Sequence, residues 1–202
     1  PLTDLSDHAR SQLLGQIESL HRLIPYLRHV SKVYVVDDGN RTCYRREMTE
    51  RGKLTEVDIY KNDSLQERQH IFSIECVPPD DEFAELVEHR ALENEEKFRD
   101  EPVPIKISFP VDEEGKPQPR DGPSRLFNFF PTKDELPIPF DIQADFLLDS
   151  DRKRLNDEES AYNQWIFNHV STAYEGAVDY YLRREPPSAA FLNLVPTRRT
   201  LD

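Results

Sequence analysis

Leu54-Thr55-Glu56-Val57-Asp58-Ile59-Tyr60 and His70-Ile71-Phe72-Ser73-Ile74-Glu75-Cys76-Val77 alternate apolar with polar side chains. A period of two places every second residue on the same side of an extended backbone, as in strands with one buried face. Upstream, Lys32-Val33-Tyr34-Val35-Val36 is β-branched and aromatic, and Asp38-Gly39-Asn40 is a turn signal before Thr42-Cys43-Tyr44-Arg45-Arg46. That pattern predicts a hairpin, and with it four strands in series. Downstream, Ile105-Lys106-Ile107-Ser108-Phe109 reads as a further strand, and Leu126 to Phe130 and Phe140 to Leu148 complete the sheet. In the last of these, Phe140, Ile142, Ala144, Phe146 and Leu148 share one face, and the odd positions between them read as its ordinary polar side. The count comes to about six or seven strands.

Helical periodicity lies outside these strands. Leu13, Ile17, Leu20, Ile24 and Leu27 recur at spacings of four and three, so a helix is predicted from Ser6 to Leu23, broken at Pro25, which lacks the N–H required inside a helix. After Pro78-Pro79, Phe83, Leu86, Val87, Ala91 and Phe98 form a narrow apolar stripe within residues 80–101, a stretch holding ten acids against Arg90, Lys97 and Arg99. Such a run is the solvated face of a helix. Residues 112–124 are rich in Pro, Gly and charge and read as an exposed loop. A final helix is predicted from Glu159 to Arg183, with Tyr162, Trp165, Ile166, Val170, Ala173, Ala177, Val178, Tyr181 and Leu182 on one broad stripe, stopped by Pro186-Pro187. The whole reads as an α+β, two-layer protein in which a mixed β-sheet is covered on one face by helices.

The 202 residues suffice for one domain with a substantial core. A formal net charge of −13 argues against a general nucleic-acid surface, which needs clustered Lys and Arg to displace counterions. No apolar run approaches the roughly 20 residues of a bilayer span, and Pro1-Leu2-Thr3-Asp4 has neither a basic nor an apolar leader segment. The expectation is therefore an intracellular, cytoplasmic protein without a membrane segment. The chain opens without Met, inside what reads as a secondary-structure element, so a piece of a longer polypeptide is expected. Cys43 and Cys76 lack a Cys-x-x-Cys or His-rich companion and read as reduced, buried thiols.

Few residues point to chemistry. With six glycines there is no phosphate-cradling loop, and there is no Gly-x-Ser-x-Gly elbow. His8, His21, His29, His70, His89 and His169 are dispersed and read as surface or helix-face residues, with no metal site among them. Asp141, Asp145, Asp149 and Asp151 are the most enzyme-like group, since strand-borne carboxylates can hold magnesium in a nuclease. Their spacing weakens that idea, because these odd positions read rather as the ordinary polar side of a half-buried strand. In Leu148-Asp149-Ser150-Asp151-Arg152-Lys153-Arg154-Leu155 a strand gives way to short polar residues and a fixed guanidinium at Arg152. That guanidinium either meets a phosphate arriving from another domain or pairs with Asp149 or Asp151 on the surface.

Phe129-Phe130-Pro131-Thr132, then Leu136-Pro137-Ile138-Pro139-Phe140-Asp141-Ile142-Gln143-Ala144-Asp145-Phe146-Leu147-Leu148, then Ser150-Asp151-Arg152 together resemble a stretch of sacsin-like proteins. These belong with the ninety-kilodalton heat-shock chaperones among the GHKL, or Bergerat-type, ATPases. Asn163-Gln164-Trp165-Ile166 is similar to the Trp-bearing helix that follows, and Leu23 to Val36 to the turn and strand that open the transducer region. Glu135, Asp141 and Gln143 depart from the pattern, which often has Gly, His and Asn there. The resemblance implies a middle or transducer domain of the ribosomal-protein-S5-domain-2-like type, lacking the ATP-binding domain. It implies no catalysis by this chain alone, no cofactor within it, and ATP and magnesium in the parent protein. Its implied partner is the upstream ATP-binding domain of the same polypeptide, whose γ-phosphate Arg152 would contact. Residues 1–29 would close that upstream domain, 30–155 would form the transducer-like sheet, 156–185 a packing helix and 186–202 a tail or linker. The alternatives are a protein-interaction module that keeps the fold without ATPase coupling, and a metal-dependent nuclease built on the aspartates.

Overall fold

The computed structural model describes residues 20–27, 29–37, 39–77, 101–120, 122–151, 153–155, 160–184 and 189–196. A short helix, α1 (Leu20–Leu23), and a 3-10 turn (Ile24–Tyr26) lead into strands β1 (Lys32–Asp37), β2 (Asn40–Arg51), β3 (Leu54–Lys61), β4 (Ser64–Cys76), β5 (Val103–Val111), β6 (Ser124–Asn128), β7 (Phe130–Leu136) and β8 (Asp141–Gln143). The long helix α2 (Ala161–Arg184) and a second 3-10 turn (Ala189–Leu194) follow. The strands form one eight-stranded mixed sheet, in the order β1-β2-β3-β4-β5-β8-β6-β7. All described pairings are antiparallel except β6 with β8.

Local chemistry accounts for the meander of the first four strands. Gly39 sits at φ 79 in the β1–β2 turn, and the β3–β4 turn holds Asn62 and Asp63 at φ 49 and 65, the left-handed geometry that matches strand twist in two-residue hairpins. The Asn62 side chain accepts the Cys43 N–H at 2.8 Å, tying this turn to the neighbouring strand. Ser160 opens α2 by accepting the Asn163 N–H, and Arg183 and Arg184 occupy its last turn, where cations suit the helix dipole.

Alternation sorts the sheet into two faces. Phe72 on β4 and Val103, Ile105, Ile107 and Phe109 on β5 pack against the α2 stripe of Tyr162, Trp165, Ile166, Val170, Ala173, Ala177 and Tyr181. Leu182, expected on that stripe, is exposed. The opposite face is covered as well, where Ile24 and Tyr26 meet Tyr44, Val57, Ile59, Ile71 and Phe127. A sheet covered on one face only is thus corrected: odd-numbered residues of β3 and β4 find apolar partners in the segment around Pro25. The helix predicted from Ser6 lies outside the described residues up to Leu20, as does that over 80–101.

Two further expectations change at the far edge of the sheet. Phe130 to Leu136 forms a strand of its own, although the segment combines an exposed phenylalanine with Pro131 and charge. The predicted strand from Phe140 to Leu148 pairs only over Asp141–Gln143. Its alternation nevertheless holds as a choice of face, since Phe140, Ile142, Ala144 and Phe146 all join the core on the α2 side. Beyond Gln143 the backbone is held by other partners: the Ala144 N–H donates to the Phe127 carbonyl at 3.1 Å, and Asn128 Nδ2 donates to the Phe146 carbonyl at 2.7 Å. The Asn163 side chain engages both the N–H and the carbonyl of Leu147, each at 3.0 Å, as a strand would. No helix among the described residues is long and apolar enough to cross a membrane.

Candidate functional site: the loop from Asp149 to Leu155

The chain leaves β8, passes Asn163 and closes a small hairpin in which Leu148 bridges Leu155 and the Asp149 N–H donates to the Arg154 carbonyl at 3.0 Å. Asp149 Oδ1 accepts the N–H groups of Lys153 at 3.0 Å and Arg154 at 3.3 Å. This is the local side-chain-to-backbone bonding by which Asp shapes turns. Asp151 accepts the Lys153 N–H at 3.2 Å and binds its ammonium at 2.8 Å. The hydrogen bond from the Lys153 side chain pulls the Asp151 carboxyl down to about 2.

The loop is also pinned from the side by β7. The Lys133 N–H donates to the Lys153 carbonyl at 2.7 Å, and Asp134 Oδ2 accepts the Leu155 N–H at 2.9 Å. Thr132, buried, holds the next turn of this brace by accepting the Asp134 N–H at 3.2 Å. β7 and the loop are therefore bonded to one another through Lys133 and Asp134. At the tip of the β6–β7 hairpin Phe129 adopts φ 59 and is 44% exposed, beside Phe130 at 65%. Arg152 itself lies outside the described residues, between the described Asp151 and Lys153.

Asp141, Asp149 and Asp151 do different things. Asp141 is 1% exposed and is not on a solvated strand face: it meets Arg120 at 2.8 Å and Arg22 at 3.3 Å and accepts the Arg125 N–H at 2.8 Å. Gln143 is buried too, so the expectation of a solvated polar face fails there as well. Asp149 and Asp151 are spent on the loop backbone and Lys153, and among the described residues no group of three His, Cys, Asp or Glu is placed to hold a metal ion.

Two other expectations are corrected. His70 is a core residue, 1% exposed, its Nδ1 2.7 Å from the Tyr181 hydroxyl and its ring stacked on that of Tyr181. It falls on the inward phase of β4 opposite Phe109, which the alternation around it already encodes. Cys43 and Cys76 are free thiols but half-buried rather than buried. Sequence reasoning also missed Asn163 and Arg120. The signal for Asn163 was a polar residue on the inward stripe of α2, whereas Arg120 sits in a loop with no periodicity to mark it.

Compared with known proteins, the chain matches no family model, no curated protein and no solved structure.

Proposed function

We propose that this chain is the middle or transducer domain of a larger, cytoplasmic, chaperone-like ATPase of the GHKL type, with a ribosomal-protein-S5-domain-2-like sheet. In this reading it is not an enzyme alone. Arg152 acts on the γ-phosphate of ATP held, with magnesium, by the upstream domain of the same polypeptide, and so couples nucleotide state to domain closure. The observation that carries the reading is the bracing of the loop around this residue. Asp149, Lys133 and Asp134 fix its backbone on both sides, and the neighbouring carboxylates are engaged by Lys153 and by backbone N–H groups. A loop held by its neighbours in this way supports the reading, because stabilisation of charge developing in phosphoryl transfer needs a donor delivered from a fixed scaffold.

The test is ATP turnover by the parent protein. Arg152→Ala should reduce turnover about a hundredfold or more while leaving nucleotide affinity and melting nearly unchanged. Arg152→Lys restores only part, because an ammonium lacks the planar fork that engages two phosphate oxygens. Lys153→Ala and Arg154→Ala are controls for lost positive charge. Undiminished turnover in Arg152→Ala would reject the role, and a collapse in melting would make the residue structural.

A second reading, a protein-interaction module without ATPase coupling, is favoured by the edge strand β1, which presents Tyr34 at 46% and Val36 at 68% exposure. Intact ATP-pocket motifs upstream of residue 1 support the transducer, and decayed ones the module. The nuclease reading loses its most central carboxylate to the Arg120 and Arg22 pairs.

A further inference from the structure

On the face of the sheet that α2 does not cover, a cleft of about 420 Å³ opens beside the apolar cluster of Ile24 and Tyr26, lined by His21, Arg22, Tyr44, Lys61, Glu67 and Arg120 among others. We propose that this cleft binds a small, multiply charged oxyanion, a phosphate- or carboxylate-bearing metabolite, independently of the Arg152 loop. Its size falls in the usual range for small-molecule sites. Arg22, Lys61 and Arg120 converge here on a chain whose formal net charge is −13, so the local excess of cations runs against the prevailing charge.

The donors are placed and incompletely used. Arg120 is 6% exposed and Arg22 19%; their terminal nitrogens are committed to Asp141, to the Ser108 carbonyl and to the Pro123 carbonyl. The Nε–H of each guanidinium is buried without a hydrogen-bond partner. Two guanidiniums therefore share the single carboxylate of Asp141, which leaves positive charge beside the cleft for an anion to offset. Asp141 orients both guanidiniums from behind. Lys61 stands at the end of β3 with its ammonium 5.7 Å from the centre of the Tyr44 ring, and Glu67, the acidic member of the lining, accepts from Gln69 Nε2 at 2.9 Å. A cation would meet more positive than negative side chains, and a polymer such as RNA would find a cleft too small for its backbone and a repelling surface around it.

Calorimetry of the 202-residue chain at low ionic strength tests this, with pyrophosphate as the phosphate probe and citrate as the carboxylate probe. Saturable one-to-one binding is expected in at least one titration, and which one answers identifies the ligand class. Lys61→Gln should weaken it about tenfold or more, the loss of one charge-assisted contact. Lys53→Gln, at the exposed turn on the other end of β3, removes the same charge and should change it by no more than about twofold. Arg22→Gln, read beside its melting curve, should weaken binding as Lys61→Gln does. Absence of saturable binding to either probe, equal weakening by Lys61→Gln and Lys53→Gln, or no effect of Lys61→Gln would overturn the proposal. None of these results depends on ATP turnover.

Discussion

On the α2 side of the sheet, Phe72, Ile105, Ile107 and Phe109 meet Trp165, Ile166, Val170 and Ala173. On the other side, Tyr26 reaches Ser108 at 2.5 Å, Arg46 donates to the carbonyls of Pro25 and Leu27, and Asp141 gathers Arg22 and Arg120. The first face is closed mainly by apolar area, which is non-directional and proportional to the surface removed from water. The second is closed by a smaller apolar cluster plus directed bonds between a short N-terminal segment, the 112–123 loop and the strand that feeds the Asp149–Leu155 hairpin. Area tolerates small displacements of a helix on a sheet, whereas a buried ion pair holds one geometry or fails. The second face is thus the more sharply specified of the two, and it also carries the polar cleft lined by Arg22, Lys61 and Arg120.

The largest effect expected from breaking this contrast is on the area-dominated face. Trp165 is 7% exposed, stacks beside Tyr162 at 5.8 Å and lies 4.6 Å from the His169 ring. Trp165→Ala should cost about 3–5 kcal/mol through lost burial and the cavity left behind. Chemical denaturation measures this, and a loss under about 1 kcal/mol would mean that α2 closes over the gap.

Asp141→Ala should cost slightly less, about 3 kcal/mol, because it leaves Arg120 buried without its carboxylate. Arg120 keeps its bond to the Ser108 carbonyl and Arg22 reaches solvent, which places the loss at the low end for a broken buried pair. The two faces should also separate by salt. Because the pair is shielded, its contribution should persist in high salt, unlike that of exposed pairs such as Lys153–Asp151. Stability measured with and without salt for Asp141→Ala and for wild type decides this, and a difference that disappears in high salt would place Asp141 in solvent.

How much of this was legible in the residues follows from the same contrast. The α2 face was readable because periods of two and of about four repeat along β3, β4, β5 and α2, and hydrophobic area obeys that pattern. The second face was not, because its contacts join residues such as Arg22, Ser108, Arg120 and Asp141 that no local period relates. Asp141 shows the limit most plainly. Its place opposite Phe140 and Ile142 gave the correct face, but whether that face meets water depends on a loop and a segment far away in sequence. Around Arg152 the short polar residues announced a turn, and the turn formed by Asp149 is there. That β7 braces it through Lys133 and Asp134 was hidden, since Phe130-Pro131-Thr132-Lys133-Asp134 lacks strand alternation.

The smallest effect, and the one most specific to the α2 face, concerns its buried imidazole. Burial, then the nearby cations Arg184, Arg68 and Arg51, pushes the His70 pKa down from 6.5 to about 4; Asp112 opposes this, and Glu56 stands 4.0 Å from Nε2. Burial prevails because Tyr181, Tyr180 and Phe72 surround the ring, and among the described residues the nearest carboxylate paired with it, Glu56, is no closer than 4.0 Å. The folded pKa is therefore below the unfolded one. Above pH 6.5 the ring is neutral in both states and contributes no pH dependence. As pH falls through 6.5 the unfolded chain takes up a proton that the folded chain refuses, so stability declines until about pH 4, where both are protonated. At pH 5 the loss from this group is about 2 kcal/mol. His70→Phe removes the proton while keeping a ring of similar bulk, so the variant, whatever its absolute stability, should lose about 2 kcal/mol less than wild type between pH 7 and pH 5. Denaturation at the two pH values measures that difference, and ring-proton NMR provides the direct check. A His70 resonance titrating near 6.5 would show a solvated imidazole and would break the view that α2 seals this face against water.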